Sequence, residues 1–225
     1  MGFDSLVPRL IRAVIFDLDG LLLDSESAWD GARRVLVGEH GLEWREGATE
    51  AMLGMSAPEW SRYVRDEFGV PLEPGEISDR VVARVLESYE QRLPLLPGAE
   101  EAVARMAERW PLALASSSNK QVIDRVMETS GWGDVFRVWV SSEEVDRGKP
   151  APDVFLEAAA RIGTDTVDAA GIEDSHNGIL AARAARLGRV IAIPNHEFPP
   201  GAEALEAADA VLGSLDELTP EVVEG

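Results

Sequence analysis

Ala13-Val14-Ile15-Phe16 runs without interruption into Asp17-Leu18-Asp19-Gly20, and this stretch restricts the fold more than any other. Four consecutive apolar residues bounded by a turn signal fit a strand buried on both faces, as in a parallel sheet. Acids at the carboxyl end of such a strand lie where open α/β sheets bind ligands. In an extended segment Asp17 and Asp19 project to one side, because side chains alternate with a period of two. Two carboxylates on one side repel, and both stay ionised most easily beside a cation. Oxygen-only ligands select a hard ion, Mg²⁺ ahead of Ca²⁺ when a phosphate shares the site. Screened in this way, an aspartate can attack phosphorus and form an aspartyl phosphate. Two plainer readings stay open for this stretch alone. One is a pair of solvated acids at a turn; the other is a calcium loop, whose pattern asks for a third Asp or Asn before the glycine that is missing here.

The residues that follow read as helical. Trp29, Ala32, Val35 and Leu36 share a face between about Ser25 and His40, and Gly41 ends that helix. Ser56-Ala57-Pro58-Glu59 offers an N-cap and a capping-box acid to a second helix carrying Trp60, Tyr63, Val64 and Phe68. A third carries Val81, Val82, Val85, Leu86 and Tyr89. No strand pattern interrupts this span, which predicts an all-helical insertion directly after the acid-bearing strand. Beyond Leu95 the rhythm changes. Apolar runs at 112–115, 138–140, 167–172 and 190–193, with an edge strand at 210–212, alternate with helical patterns. Such alternation predicts an α/β fold, a Rossmann-like parallel sheet flanked by helices. Residues 1–24 and 93–225 form its core, and residues 25–92 an inserted helical cap.

The later strands also end in polar residues. Ser116 closes the run from Leu112, where a hydroxyl can meet a phosphate oxygen and the next helix adds backbone N–H groups; Ser116 to Asn119 equally suit a helix cap. Lys149 stands in Gly148-Lys149-Pro150 just before a helix, as a compact point charge suited to phosphate and paired carboxylates, or as a solvated loop lysine. Glu173-Asp174 ends the run from Val167 at the same sheet edge as Asp17 and Asp19, where the four acids could complete an oxygen-rich metal site. Asp174 or Ser175 also fits as the cap of the helix that follows.

Charge narrows the function. The 225 residues carry a formal net charge of −20, which disfavours nucleic acid and anionic membrane as partners. An anionic substrate therefore needs local positive charge. Only two of the 21 basic side chains are lysines, Lys120 and Lys149. Cysteine is absent, which excludes thiolate chemistry and disulfides. No apolar run is long enough for a membrane span and no signal peptide is visible, so a cytoplasmic protein is expected.

The order of these signals resembles the haloacid dehalogenase superfamily over about residues 11–215. Phe16 to Glu26 resembles its first motif, Ala115-Ser116-Ser117-Ser118 the second, Gly148 to Asp153 the third, and Gly171 to Gly178 the fourth. The helical insertion is similar to the cap of the subfamily containing β-phosphoglucomutase and small sugar-phosphate phosphatases. The resemblance implies Asp17 as nucleophile and Mg²⁺ ligand. It implies Asp19 as acid and base, with its backbone carbonyl on the ion, Asp174 as third ligand and Glu173 as supporting acid. Ser116, Ser117 and Lys149 would hold the phosphoryl group. Ser25, Glu26, Trp29, Gly54, Met55, Ser56, Ser118 and Asn119 would face the substrate, Trp29 by stacking on a sugar or base unless it serves only the cap core.

Within the superfamily, Asp19 argues against carbon–halogen cleavage, and no lysine precedes Lys120 to form a Schiff base. β-Phosphoglucomutase places a histidine at the position of Trp29 and an arginine at that of Ala57. Both are missing here, which favours a phosphatase over a mutase. The expected function is Mg²⁺-dependent hydrolysis of a small phosphate monoester, a sugar or polyol phosphate, by a monomer or dimer. A nucleotide-like or biosynthetic phosphate, a phosphomutase and a non-enzymatic phosphate-sensing module are the alternatives.

Overall fold

A computed structural model describes residues 10–52 and 55–225. Six parallel strands, β1 (Ala13–Phe16), β2 (Leu112–Ser116), β3 (Phe136–Ser141), β4 (Ala169–Glu173), β5 (Arg189–Ala192) and β6 (Ala210–Val211), form one sheet in the order β3-β2-β1-β4-β5-β6. Every residue of β1, β2 and β4 is buried, as the uninterrupted apolar run of β1 requires. Alternation along β1 divides the core. Val14 and Phe16 pack with Leu112, Leu114 and Ile172 on one face of the sheet. Ile15 packs with Ala113, Ala115 and Phe155 on the other.

Helices α1 (Glu26–Glu39), α2 (Ala48–Met52), α3 (Ala57–Phe68) and α4 (Pro74–Gln91) lie between β1 and β2, with no strand among the described residues of that span. The remaining helices, α5 (Ala99–Ala107), α6 (Lys120–Ser130), α7 (Asp153–Ile162), α8 (His176–Ala184), α9 (Ala202–Ala207) and α10 (Pro220–Glu224), alternate with the strands or close the chain. At the start of α3 the Ser56 N–H and hydroxyl both donate to the Glu59 carboxylate, at 2.8 and 2.6 Å. Gly69 ends the helix in the left-handed region at φ 77°. The two connections to this helical insertion run side by side: Asp24 N–H donates to Pro94 O at 2.8 Å and Leu96 N–H to Leu22 O at 3.0 Å.

Two local expectations are corrected, and one short helix is added. Val35 does not share the buried face of α1: it is 51% exposed, and Arg33 is buried there beside Trp29, Ala32, Leu36 and Val37. Val167 is no strand residue but part of a 3-10 turn at 166–168, so β4 begins at Ala169. Residues 48–52 form a short helix that five residues are too few to announce by periodicity.

Candidate active site

Strand register brings the acids together. Phe16 pairs with Leu114 on one side and Ile172 on the other, so Asp17 leaves the sheet level with Ala115 and Glu173. Its N–H still donates to Ile172 O at 3.0 Å. Asp17, Glu173 and Asp174 are buried, and each offers a carboxylate oxygen within 4.8 Å of the others. Lys149, delivered by the connection between β3 and α7, reaches into the same point. Its Nζ donates to Asp17 Oδ1 at 2.5 Å, Glu173 Oε1 at 2.5 Å and Ala115 O at 2.9 Å.

Three acids and one ammonium in so small a volume leave negative charge unbalanced. Burial pushes the Asp17 carboxyl well above the usual carboxylate range; Lys149 opposes this, while Glu173 and Asp19 add to it. Asp174 is raised in the same way by burial, then by Asp17 and Glu173. Burial pulls the Lys149 ammonium down, but Asp17 and Glu173 outweigh it and hold its pKa above the ordinary lysine value. Asp174 Oδ1 is buried with no hydrogen-bond partner. An all-oxygen donor set with an unsatisfied buried oxygen fits a hard divalent cation.

Glycines make the closeness sterically feasible. Gly20 has φ +80°, and a Cβ there would fall 2.2 Å from Asp174 Oδ2. A Cβ on Gly178, in the first turn of α8, would fall 2.0 Å from the Glu173 carboxyl. Gly20→Ala should therefore destabilise the protein by about 1–3 kcal/mol and displace Asp174. Urea unfolding and a divalent-cation titration check both effects, and an unchanged cation affinity would contradict the second.

Asp19 reaches the site by a route other than strand alternation. The strand ends at Phe16, and Asp19 lies at the start of the turn. Its Oδ2 accepts from Ser116 Oγ at 3.1 Å and Ser118 Oγ at 2.7 Å. Ser116 is completely buried and its hydroxyl also accepts from Ser118 N–H, so it supports Asp19 from behind the cavity wall. Ser117, Ser118, Asn119, Glu26, Trp29 and Met55 do line the cavity, with Asp17, Asp19, Lys149 and Asp174. Asn119 is held by Glu143 at 2.6 Å and reaches Ser78 of α4 at 3.5 Å. Glu173 lies beneath, its second oxygen accepting from the N–H of Asp174 and of Ser175 and from the Ser175 hydroxyl. Of the two cap alternatives for α8, Ser175 is the N-cap, its hydroxyl accepting from Gly178 N–H at 3.1 Å.

Two expected substrate contacts are not on the cavity wall. Ser25 is fully buried, and Ser56 is occupied in capping α3. Gly54 lies outside the described residues. Trp29 is 6% exposed and meets Trp60 edge-on at 6.0 Å, so it belongs to the packing of the insertion as well as to the cavity. Sequence reasoning missed Arg33, Trp60 and the loop after β5 with Asn195 and Glu197, all of which line the cavity. The helical spacing of Trp29 and Arg33, four residues apart, was the available signal for Arg33.

Among known proteins, hexitol phosphatase B of Escherichia coli (strain K12) is 38% identical over 218 residues, covering 94% of this chain and 96% of that protein. A probable pseudouridine-5'-phosphatase of Drosophila melanogaster is 30% identical over 224 residues, covering 96% and 94%. The crystal structure of CbbY from Rhodobacter sphaeroides in complex with phosphate superposes with a TM-score of 0.85 at 26% identity, covering 96% of this chain and all of that one. The haloacid dehalogenase-like hydrolase family matches residues 11–186, a span that includes the acidic cluster of Asp17, Glu173 and Asp174 and its partner Lys149. The chain belongs to the haloacid dehalogenase-like hydrolases.

Proposed function

We propose that this phosphatase hydrolyses a small sugar or polyol phosphate through an aspartyl phosphate on Asp17, with Mg²⁺ as cofactor, and that it works in the cytoplasm as a monomer. One observation carries the reading: three buried carboxylates lie within 4.8 Å of one another at the end of the central strands, and two of them, Asp17 and Glu173, bond one ammonium. The hexitol phosphatase relative supports the substrate class.

Asp17, Asp174 and the backbone carbonyl of Asp19 would hold the ion. When bound, Mg²⁺ supplies positive charge to the phosphoryl oxygens and keeps Asp17 ionised. Asp17 attacks phosphorus through a carboxylate oxygen, and the ester P–O bond breaks. Asp19 gives its proton to the departing oxygen. It then takes a proton from water, which attacks the same phosphorus and releases Asp17 and inorganic phosphate. Lys149 holds Asp17 in place and faces the phosphoryl oxygens. Glu173 fixes Lys149 from below and ties it to the start of α8. The Ser116 and Ser118 hydroxyls orient Asp19, while Ser117, on the cavity wall, offers hydrogen bonds to the phosphoryl group beside Lys149.

Phosphate release from a panel of hexose, hexitol, polyol and nucleoside monophosphates tests the proposal. Turnover of at least one ester with Mg²⁺, lost with EDTA and restored by added Mg²⁺, is the expected result. Turnover that is indifferent to the chelator would remove the metal from the reaction, and a silent panel would defeat the substrate class.

A further inference from the structure

The cavity has a second positive end. Arg33 lies on α1, one helical turn beyond Trp29, and is only 6% exposed. Its guanidinium carbon sits 5.5 Å from the centre of the Trp29 ring and 5.0 Å from that of Trp60. Aromatic flanks of this kind hold a guanidinium by its faces and leave its N–H edge free for hydrogen bonds. Yet among the described residues no ion pair within 4.0 Å engages Arg33, and its Nε is buried without a hydrogen-bond partner. Lys149, the other strongly basic side chain on the cavity wall, is already taken by Asp17 and Glu173.

A buried cation without a partner is costly. Burial pulls Arg33 down to about 10, against the attraction of Glu26, Asp30 and Asp19. Glu26 acts on it most strongly of the three, but burial pushes Glu26 itself up to about 7, which makes it an incomplete counter-ion at neutral pH. A neutral hydroxyl would accept a hydrogen bond here and leave the charge standing. An oxyanion answers both needs, because a carboxylate or phosphate can accept two parallel N–H bonds from one guanidinium.

We infer that Arg33 determines specificity by binding an oxyanion, a carboxylate or a second phosphate, at the end of the substrate remote from the scissile phosphate. The inference rests on the phosphatase reading of the site and narrows its substrate to sugar-acid phosphates or sugar bisphosphates. The cavity, of about 430 Å³, lies within the range that holds a small metabolite.

Two matched pairs test it. Sorbitol 6-phosphate and 6-phosphogluconate differ at C1, where an alcohol becomes a carboxylate. Fructose 6-phosphate and fructose 1,6-bisphosphate differ by the second phosphate. The readout is the ratio of kcat/KM within each pair, which damage to the fold does not move because it lowers both members alike. The wild type should favour the charged member of at least one pair by about ten-fold or more, and the pair that shows the preference identifies the oxyanion. Arg33→Leu should bring that ratio close to one, mainly through KM, and Arg33→Lys should keep part of it. Arg33→Gln, which preserves much of the stem, replaces the leucine variant should that one not fold. Preference for the neutral member in both pairs, or a ratio that Arg33→Leu leaves unchanged, overturns the inference.

If none of the four esters nor p-nitrophenyl phosphate turns over, the phosphatase reading fails. Arg33 is then judged by titrating tryptophan fluorescence with 6-phosphogluconate and fructose 1,6-bisphosphate. Binding weakened by about ten-fold in Arg33→Leu upholds the oxyanion site, and equal affinity in parent and variant refutes it.

Discussion

An Asp17→Asn variant should release phosphate from any substrate ester at less than about a thousandth of the parent rate. Asparagine has nearly the shape of aspartate, so the position beside Glu173 and Ala115 set by strand register is kept. The variant lacks an anionic oxygen to form the bond to phosphorus, and it loses one donor of the acidic cluster. Initial-rate phosphate release at saturating Mg²⁺ measures the loss. Circular dichroism and thermal melting show whether the fold persists. Activity within about ten-fold of the parent in a folded variant would refute the nucleophile.

The second large effect belongs to Lys149. Lys149→Met should lower turnover by roughly a hundred-fold or more and destabilise the metal-free protein by about 3–5 kcal/mol at neutral pH. The cause of the second effect is that Asp17 and Glu173 are left buried without their ammonium. The loss should depend on pH. Asp17 and Asp174 already have raised pKa values in the folded protein, by burial first and then by neighbouring acids. Above the ordinary carboxylate range the folded state therefore binds protons that the unfolded chain has released, and stability falls as pH rises towards the raised values. Removing Lys149 raises them further and widens that window. In urea melts with EDTA, the gap between parent and variant should be larger at pH 8 than at pH 5. Equal gaps would show that Lys149 contributes packing rather than charge.

The sheet and the acidic cluster were legible because their causes are local. Ala13 to Phe16 can be buried only between two neighbours, and parallel strands must carry their polar ends to one edge. Less of the cavity's outer wall could be read. Val35 looks more hydrophobic than Arg33, yet the phase of α1 set by Trp29, Leu36 and Val37 turns Arg33 inward, where two indoles cover its planar head. Ser116 announces a hydroxyl at a strand end, but its partner depends on how residues 17–20 turn, and that turn brings Asp19 to it. The loop carrying Asn195 and Glu197 has no periodicity, and its place on the cavity follows only from β5 lying beside β4.

The paired connections at Asp24–Pro94 and Leu22–Leu96 have a mechanical consequence. With both legs of the insertion bonded together, its four helices have one pivot rather than two independent tethers. Any rotation about that pivot would carry Trp29 and Arg33 together relative to Asp17, because both hang from α1, and would leave the register of the central strands unchanged. Substrate choice and phosphorus chemistry can then diverge separately, one by exchanging what hangs from the pivot and the other by leaving the sheet edge untouched.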